Sequence, residues 1–144
     1  MNYQTVRAPY EAAINTAFAA LVPAIPVYFD NATTANLYST AEFVTVNLSF
    51  GLTTEVGLSA DFDHIRGSLV CRVYTQKGKG PSRNQTVVSV ITSALQTLTA
   101  TPRAASPTVL ARITEIEGPT FSAPDGTPHF IGRFSCGIRA TVYP

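Results

Sequence analysis

Charge is what this chain has least of. Charged residues make up 13% of its 144 positions, against about 25% in an ordinary soluble domain. A small soluble monomer usually shows more charge than this. Part of the surface is therefore expected to be covered by other protein chains, although a Ser/Thr-rich polar surface would account for the same composition. Cysteine is almost as scarce. Cys71 and Cys136 are far apart, and neither has a CxxC companion. That excludes a disulfide framework and leaves two buried free thiols in a reducing compartment as the expectation. Two isolated cysteines and two isolated histidines also make no metal-ligand spacing. No long apolar run is present: Ala17 to Phe29 is interrupted by Pro23 and Pro26, where a membrane span needs about 20 apolar residues. A secretory signal would want a basic start and a cleaner apolar centre, so a cytosolic product without targeting information is expected. Internal repeats and low-complexity tracts are lacking, and the length suits one domain, residues 1–144, with one sizeable core.

The charges that remain are segregated. From Ala8 to Ile65 the chain holds Glu11, Asp30, Glu42, Glu55, Asp61 and Asp63 and no Lys or Arg. From His64 to Thr114 it holds Arg66, Arg72, Lys77, Lys79, Arg83, Arg103 and Arg112 and no acid. This suits a subunit whose acidic surface meets the basic surface of the next copy, a head-to-tail contact that closes into a ring. It also suits a basic edge facing nucleic acid. If the two blocks mix in three dimensions, they cancel.

The most legible stretch runs from Arg66 to Leu98. Leu69, Cys71 and Val73 alternate with Val70, Arg72 and Tyr74, the period of a strand. A polar turn follows from Thr75 to Arg83, broken by Gly78, Gly80 and Pro81. Ser82 is a good N-cap, with Gln85 placed to complete a capping box. Val87, Val88, Ile91, Ala94, Leu95 and Leu98 then recur at helical spacing, a stripe that wants a sheet to lie on. Elsewhere, a helix is expected from about Thr5 to Leu21, with Pro9 in or near its first turn. Strands are expected at Val27–Phe29, Phe43–Leu52, Glu55–Phe62, Val109–Glu117 and Phe130–Tyr143. Loops are expected over 30–41 and 99–108, with a long turn over 118–128. The order α-β-β-β-β-α-β-β predicts an α+β domain: a two-layer sandwich with a mostly antiparallel sheet and two helices on one face.

Candidate chemistry is thin. Lys77-Gly78-Lys79-Gly80-Pro81-Ser82 precedes a helix but lacks the GxxxxGK[ST] pattern, and Pro81 removes an amide donor. A basic turn of this kind, with Arg83, is a candidate contact for DNA or for an acidic neighbour, or else a solvated turn. Asp61, Asp63 and His64 form a DxDH cluster that reads as a polar strand end, as do Asp125 and His129 around the later turn. Glu115 and Glu117 share a strand face, where carboxylates are commonly solvated. GxSxG and HExxH are absent. Nothing here argues for an enzyme, a cofactor or a metal.

The layout does resemble a family. Ile25-Pro26-Val27-Tyr28-Phe29-Asp30-Asn31 is a short strand flanked by proline. Later come RGSLVCRVYTQKGKG, the helix SRNQTVVSVITSALQTL, the turn APDGTPHF and the strand IGRFSCGIRATVY. Together they resemble the tail terminator proteins of tailed bacteriophages, the small α+β family that includes the terminator of lambda-like siphophages. The matching residues (Gly67, Gly78, Gly80, Pro124, Asp125, Gly126) are turn residues, and the resemblance spans nearly the whole chain as a pattern. It implies a structural virion protein, assembled in the bacterial host cytoplasm, that forms a homohexameric ring. The ring caps the tail tube protein, presents a surface to the head–tail connector proteins and lets DNA pass through its lumen. The same reading makes Lys77, Lys79, Arg83, Asp125 and His129 the interface or DNA-facing candidates, and loops 30–41, 76–84 and 118–128 the docking surfaces. Another neck or tail tube protein, a nucleic-acid-binding module and a small α+β enzyme are the alternatives.

Overall fold

The computed structural model describes residues 3–21, 25–30, 42–56, 62–100 and 109–143, and of residues 55, 56 and 62 the backbone alone. The expected loop 30–41 beyond Asp30, and the loop 99–108 beyond Ala100, lie outside the described residues. The elements are α1 (Tyr3–Ala19), β1 (Val27–Tyr28), β2 (Phe43–Val56), β3 (Phe62–Gln76), α2 (Ser82–Ala100), β4 (Val109–Ser122) and β5 (His129–Val142). This is the expected α+β arrangement, with five strands in place of six.

The five strands form one sheet in the order β1-β2-β3-β5-β4. Every pairing is antiparallel except β1 with β2. β5 is inserted between β3 and β4, so the two strands that α2 connects run parallel without touching. Leu69, Cys71 and Val73 of β3 and Phe134, Cys136 and Ile138 of β5 are buried. They form one core with Tyr10, Ile14 and Phe18 of α1 and Val87, Val88, Ile91 and Leu95 of α2. Both helices therefore contribute to the same core as one set of alternating strand positions. Each large side chain buried there contributes about 1.5–3 kcal/mol. Both cysteines lie in this core as free thiols. Burial pushes the Cys71 thiol far up and the Cys136 thiol up to about 11.

Several local expectations are corrected. The expected strand at Glu55–Phe62 is not a separate element among the described residues: its first residues end β2 and its last begins β3, and 57–61 lie outside them. Asp63 and His64 are not a turn but pair with Val142 and Thr141 across the sheet. Gly67 is not a turn residue either. It lies in β3 opposite the irregularity between Phe50 and Leu52, where a Cβ would stand 2.1 Å from the Ser49 carbonyl oxygen. β4 runs on to Ser122 through the cis Gly118–Pro119 bond, shortening the expected turn over 118–128. Two register shifts, at Ile113/Ile116 and Glu117/Thr120, let this edge strand accommodate a proline that a central strand would not tolerate. Pro9 sits inside α1, past its first turn, because the helix starts at Tyr3; the exposed Thr5 is the residue whose carbonyl it leaves without a helical donor. Ser82 is the first helical residue and not the cap: the Pro81 carbonyl takes the first helical bond, from Gln85 N–H at 2.9 Å.

The start of α2 is held by a buried amide. Asn84 is fully buried, and its Nδ2 lies 3.0 Å from the Val73 carbonyl, 3.1 Å from the Thr75 hydroxyl and 3.1 Å from the Phe130 carbonyl. Two backbone carbonyls on one side require the amide nitrogen there. Oδ1 consequently points the other way, where it has no hydrogen-bond partner. It fits against Gly132, where a Cβ would come within 2.1 Å of it.

Replacing Asn84 by Ala should lower stability in urea titration by about 1–3 kcal/mol, the cost of leaving buried polar groups unmade. Gly132→Ala should also destabilise, and markedly less so once Asn84→Ala has removed the oxygen in its way. Additive costs in the double variant would contradict the contact.

Candidate interaction surfaces

The turn between β3 and α2 and the turn between β4 and β5 meet at one end of the sheet. Gly78, Gly80 and Gly126 adopt positive φ in these turns, a conformation that glycine takes without steric cost. Lys77 joins the two turns: its N–H bonds the Pro128 carbonyl at 2.9 Å, and its Nζ bonds the Pro124 carbonyl at 3.1 Å. Lys79 and Asp125 are exposed beside it. Three of the sequence candidates are thus brought together.

The other two are placed differently. Arg83 is half-buried and its Nε donates to Glu42 Oε2 at 3.1 Å, so its charge is met within the chain. His129 is 2% exposed. Its ring stands edge-on to Phe43 at 5.3 Å and to Tyr74 at 5.6 Å, while those two rings stack at 4.3 Å. The histidine therefore belongs to an aromatic cluster built from three strands and does not present its ring to a partner. His64, from the DxDH cluster, pairs through Nδ1 with the Thr141 hydroxyl at 3.0 Å; Asp61 lies outside the described residues. Among the described residues no three His, Cys, Asp or Glu side chains group as a metal site, and no helix is long and apolar enough to cross a membrane.

A second surface is the outside of the helix pair. α1 and α2 carry three charged side chains, Arg7, Glu11 and Arg83, and all three are in ion pairs. Between the helices runs an open groove of about 730 Å³, lined by Ala17, Ala20, Leu21, Ser89, Val90, Ser93 and Ala94 among others. It continues past Pro9, Ala12, Ala13 and Thr16. Among the described residues no charged side chain lines either part.

Arg7 is drawn away from that surface by a polar cluster at the β2 edge. β1 pairs with β2 only at Val44 and Thr45, leaving the backbone of Leu48 beyond its reach. Asp30 accepts from Leu48 N–H at 2.9 Å and from the Asn47 amide at 2.7 Å, while Arg7 donates to the Leu48 carbonyl at 3.0 Å. Arg7 and Asp30 also bond each other, and Glu11 lies 3.5 Å from the same guanidinium. Two side chains thus do for Leu48 what a neighbouring strand would do, and they occupy the edge at that residue. Burial alone would raise the Asp30 carboxyl; the Leu48 N–H, the Arg7 guanidinium and the Asn47 amide outweigh it and hold the carboxyl below its ordinary value of 3.8.

Comparison with known proteins finds no family model and no curated protein that matches the chain. A solved structure whose name states no function matches over 100% of this chain and 99% of its own, with a TM-score of 0.68 and 19% identical residues. At that identity the likeness shows the fold.

Because the Asp30 carboxyl is depressed in the folded chain, the stability it contributes is complete above the unfolded-chain value of about 4. It is lost as pH falls through the lower folded value. Asp30→Asn should therefore lower the melting temperature at neutral pH, and the gap to wild type should narrow progressively as pH falls below the unfolded-chain value. A gap of equal size at every pH would mean that the carboxylate charge is not what the site uses.

Proposed function

We propose that this chain is a structural subunit that works by assembling with other protein chains, and specifically a tail terminator of a tailed bacteriophage. In this reading copies of the chain form a hexameric ring that caps the tail tube and joins it to the head connector. The observation that carries the assembly reading is the helix layer. Exposed helices of a free domain ordinarily carry charges on their outer face. Here every charge on the two helices is neutralised within the chain, and the outer groove is lined by Ala, Ser, Thr and Val. A surface of this kind loses little when it leaves water, because no unpaired charge has to be desolvated. Small side chains also allow another backbone to approach closely. The terminator identity draws its support from the sequence resemblance, spread over nearly the whole chain, and from an α+β fold of the kind that resemblance implies. A neck connector or tube subunit would use the same surface, and copy number per virion separates them: one ring for a terminator or connector, many for a tube protein.

The reading calls for no catalysis and no cofactor. Its partners are further copies of the chain, the tube protein and the connector. Light scattering over a concentration series should show a species of ring mass. Placing two carboxylates in the groove, Ser89→Glu with Ser93→Glu, should return it to monomer without lowering the melting temperature. Wild-type chain that stays monomeric on purified tail tubes as well as in solution would overturn self-assembly. In a phage lacking the gene, tails of uniform length that still join heads would overturn the terminator role.

A further inference from the structure

The face of the sheet turned away from the core carries a second kind of surface. The register places its residues in rows across β2, β3 and β5. Arg72 stands opposite Arg133, and Arg66 stands opposite Arg139. Thr45 and Thr120 flank the first pair in their row. Asn47, Val70 and Ser135 form the next row, and Ser49, Ser68 and Gly137 the one after. Arg66, Arg133 and Arg139 are exposed and Arg72 is half-exposed.

Directly opposed residues of antiparallel strands have Cβ atoms about 4.5–5.5 Å apart, and like charges placed so are destabilising. Two such pairs on one face are therefore a cost that the isolated chain does not recover internally. The ion pairs of the described residues join Arg7 to Glu11 and Asp30, and Arg83 to Glu42; none involves these four arginines. Arg72 makes only a long 3.5 Å hydrogen bond to Asn47. Arg112 extends the Arg66–Arg139 row but turns its guanidinium to the Ala111 and Leu98 carbonyls at 3.1 and 3.5 Å. Two carboxylates stand on the β4 side: Glu117, opposite Ser135, and Glu115, whose Oε1 lies 3.2 Å from where a Gly137 Cβ would be. Neither is paired with an arginine.

We propose that this sheet face binds the phosphate backbone of a nucleic acid, each cross-strand arginine pair clamping one phosphate. Guanidinium donors suit phosphate oxygens in pairs, and the serine, threonine and asparagine side chains between the pairs are ordinary phosphate and sugar contacts. Six residues separate Arg66 from Arg72, about 20 Å along the strand. A backbone that repeats its charge at every nucleotide meets two clamps at any such spacing, whereas a folded acidic protein must carry carboxylate pairs at that one distance. The inference rests on strand register and not on the ring, so it stands or falls separately from self-assembly.

The test is fluorescence anisotropy with a labelled DNA duplex of about 20 base pairs, titrated at several salt concentrations. Wild type should bind with an affinity that falls steeply with salt. Arg72→Gln with Arg133→Gln, and separately Arg66→Gln with Arg139→Gln, should each weaken binding at least tenfold and reduce the slope of log K against log salt by about 1, the one phosphate contact that each pair makes. Melting temperatures at or above wild type are expected for both, because each removes a like-charge pair, and they establish that the folds are intact. Unchanged DNA affinity in both variants, or no binding by wild type at low salt, would overturn the proposal. So would tighter binding of poly-glutamate than of DNA, which would make the occupant an acidic protein.

Discussion

One buried amide determines how the two layers of this domain meet. Asn84 lies at the beginning of α2 and places its nitrogen between carbonyls of β3 and β5. The helix is thereby tied to the central seam of the sheet before its apolar stripe begins. Gly132 follows as a consequence, because only a residue without a Cβ leaves space for the amide oxygen. The apolar stripe of α2 is non-directional and would tolerate sliding along the sheet. Hydrogen bonds to two particular carbonyls would not. Tyr10 does a similar task for α1: its hydroxyl accepts from Arg112 N–H at 3.1 Å and lies 2.7 Å from the Arg112 carbonyl. Burial pushes that phenol up to about 12, so it stays a neutral donor over the range in which the protein folds. Each helix therefore has one polar anchor set in an otherwise apolar contact.

The scarcity of charge is not uniform over the molecule. It is concentrated on the helices, whose few charges are neutralised within the chain, whereas the outer sheet face carries four arginines that make no ion pair among the described residues. A net charge of +1 conceals this division. Three of the six acids that make the first half of the sequence look negative are engaged within the chain: Glu11, Asp30 and Glu42 all meet Arg7 or Arg83.

How much of this could be read in the chain follows from the range of each interaction. Short-range periodicity locates both helices and β5, and alternation along β5 separates Phe134, Cys136, Ile138 and Ala140 from Arg133 and Arg139. It could not show that they face Arg72 and Arg66, because pairing between strands is fixed by register over some seventy residues of intervening chain. The same non-locality hid the aromatic surroundings of His129, which come from β2 and β3. Pro119 was a reasonable reason to end a strand at Glu117, and only an edge position with register shifts lets β4 continue past it. Asn84 left a signal that was not used. It falls at helical spacing from Val87, Val88 and Ile91, and an amide on an apolar stripe is a group that must find partners in the core. Local sequence likewise does not reveal that Glu42 lies beside Arg83, or that the rings of Phe43 and Tyr74 surround His129.

The division of charge bears on what could hold copies of this chain together. A ring contact that recruited Glu11, Asp30 or Glu42 to a basic surface would have to break their internal pairs, at a cost greater than an exposed contact between copies returns. Surface ion pairs contribute about 0–1 kcal/mol each, whereas the Asp30 cluster also satisfies the backbone of Leu48. Contact between copies through the uncharged helix groove needs no such exchange. It removes apolar and small polar surface from water and leaves the arginine face unoccupied. Self-association and polyanion binding, as proposed, would then use different surfaces and different physics, the first weakly dependent on salt and the second strongly.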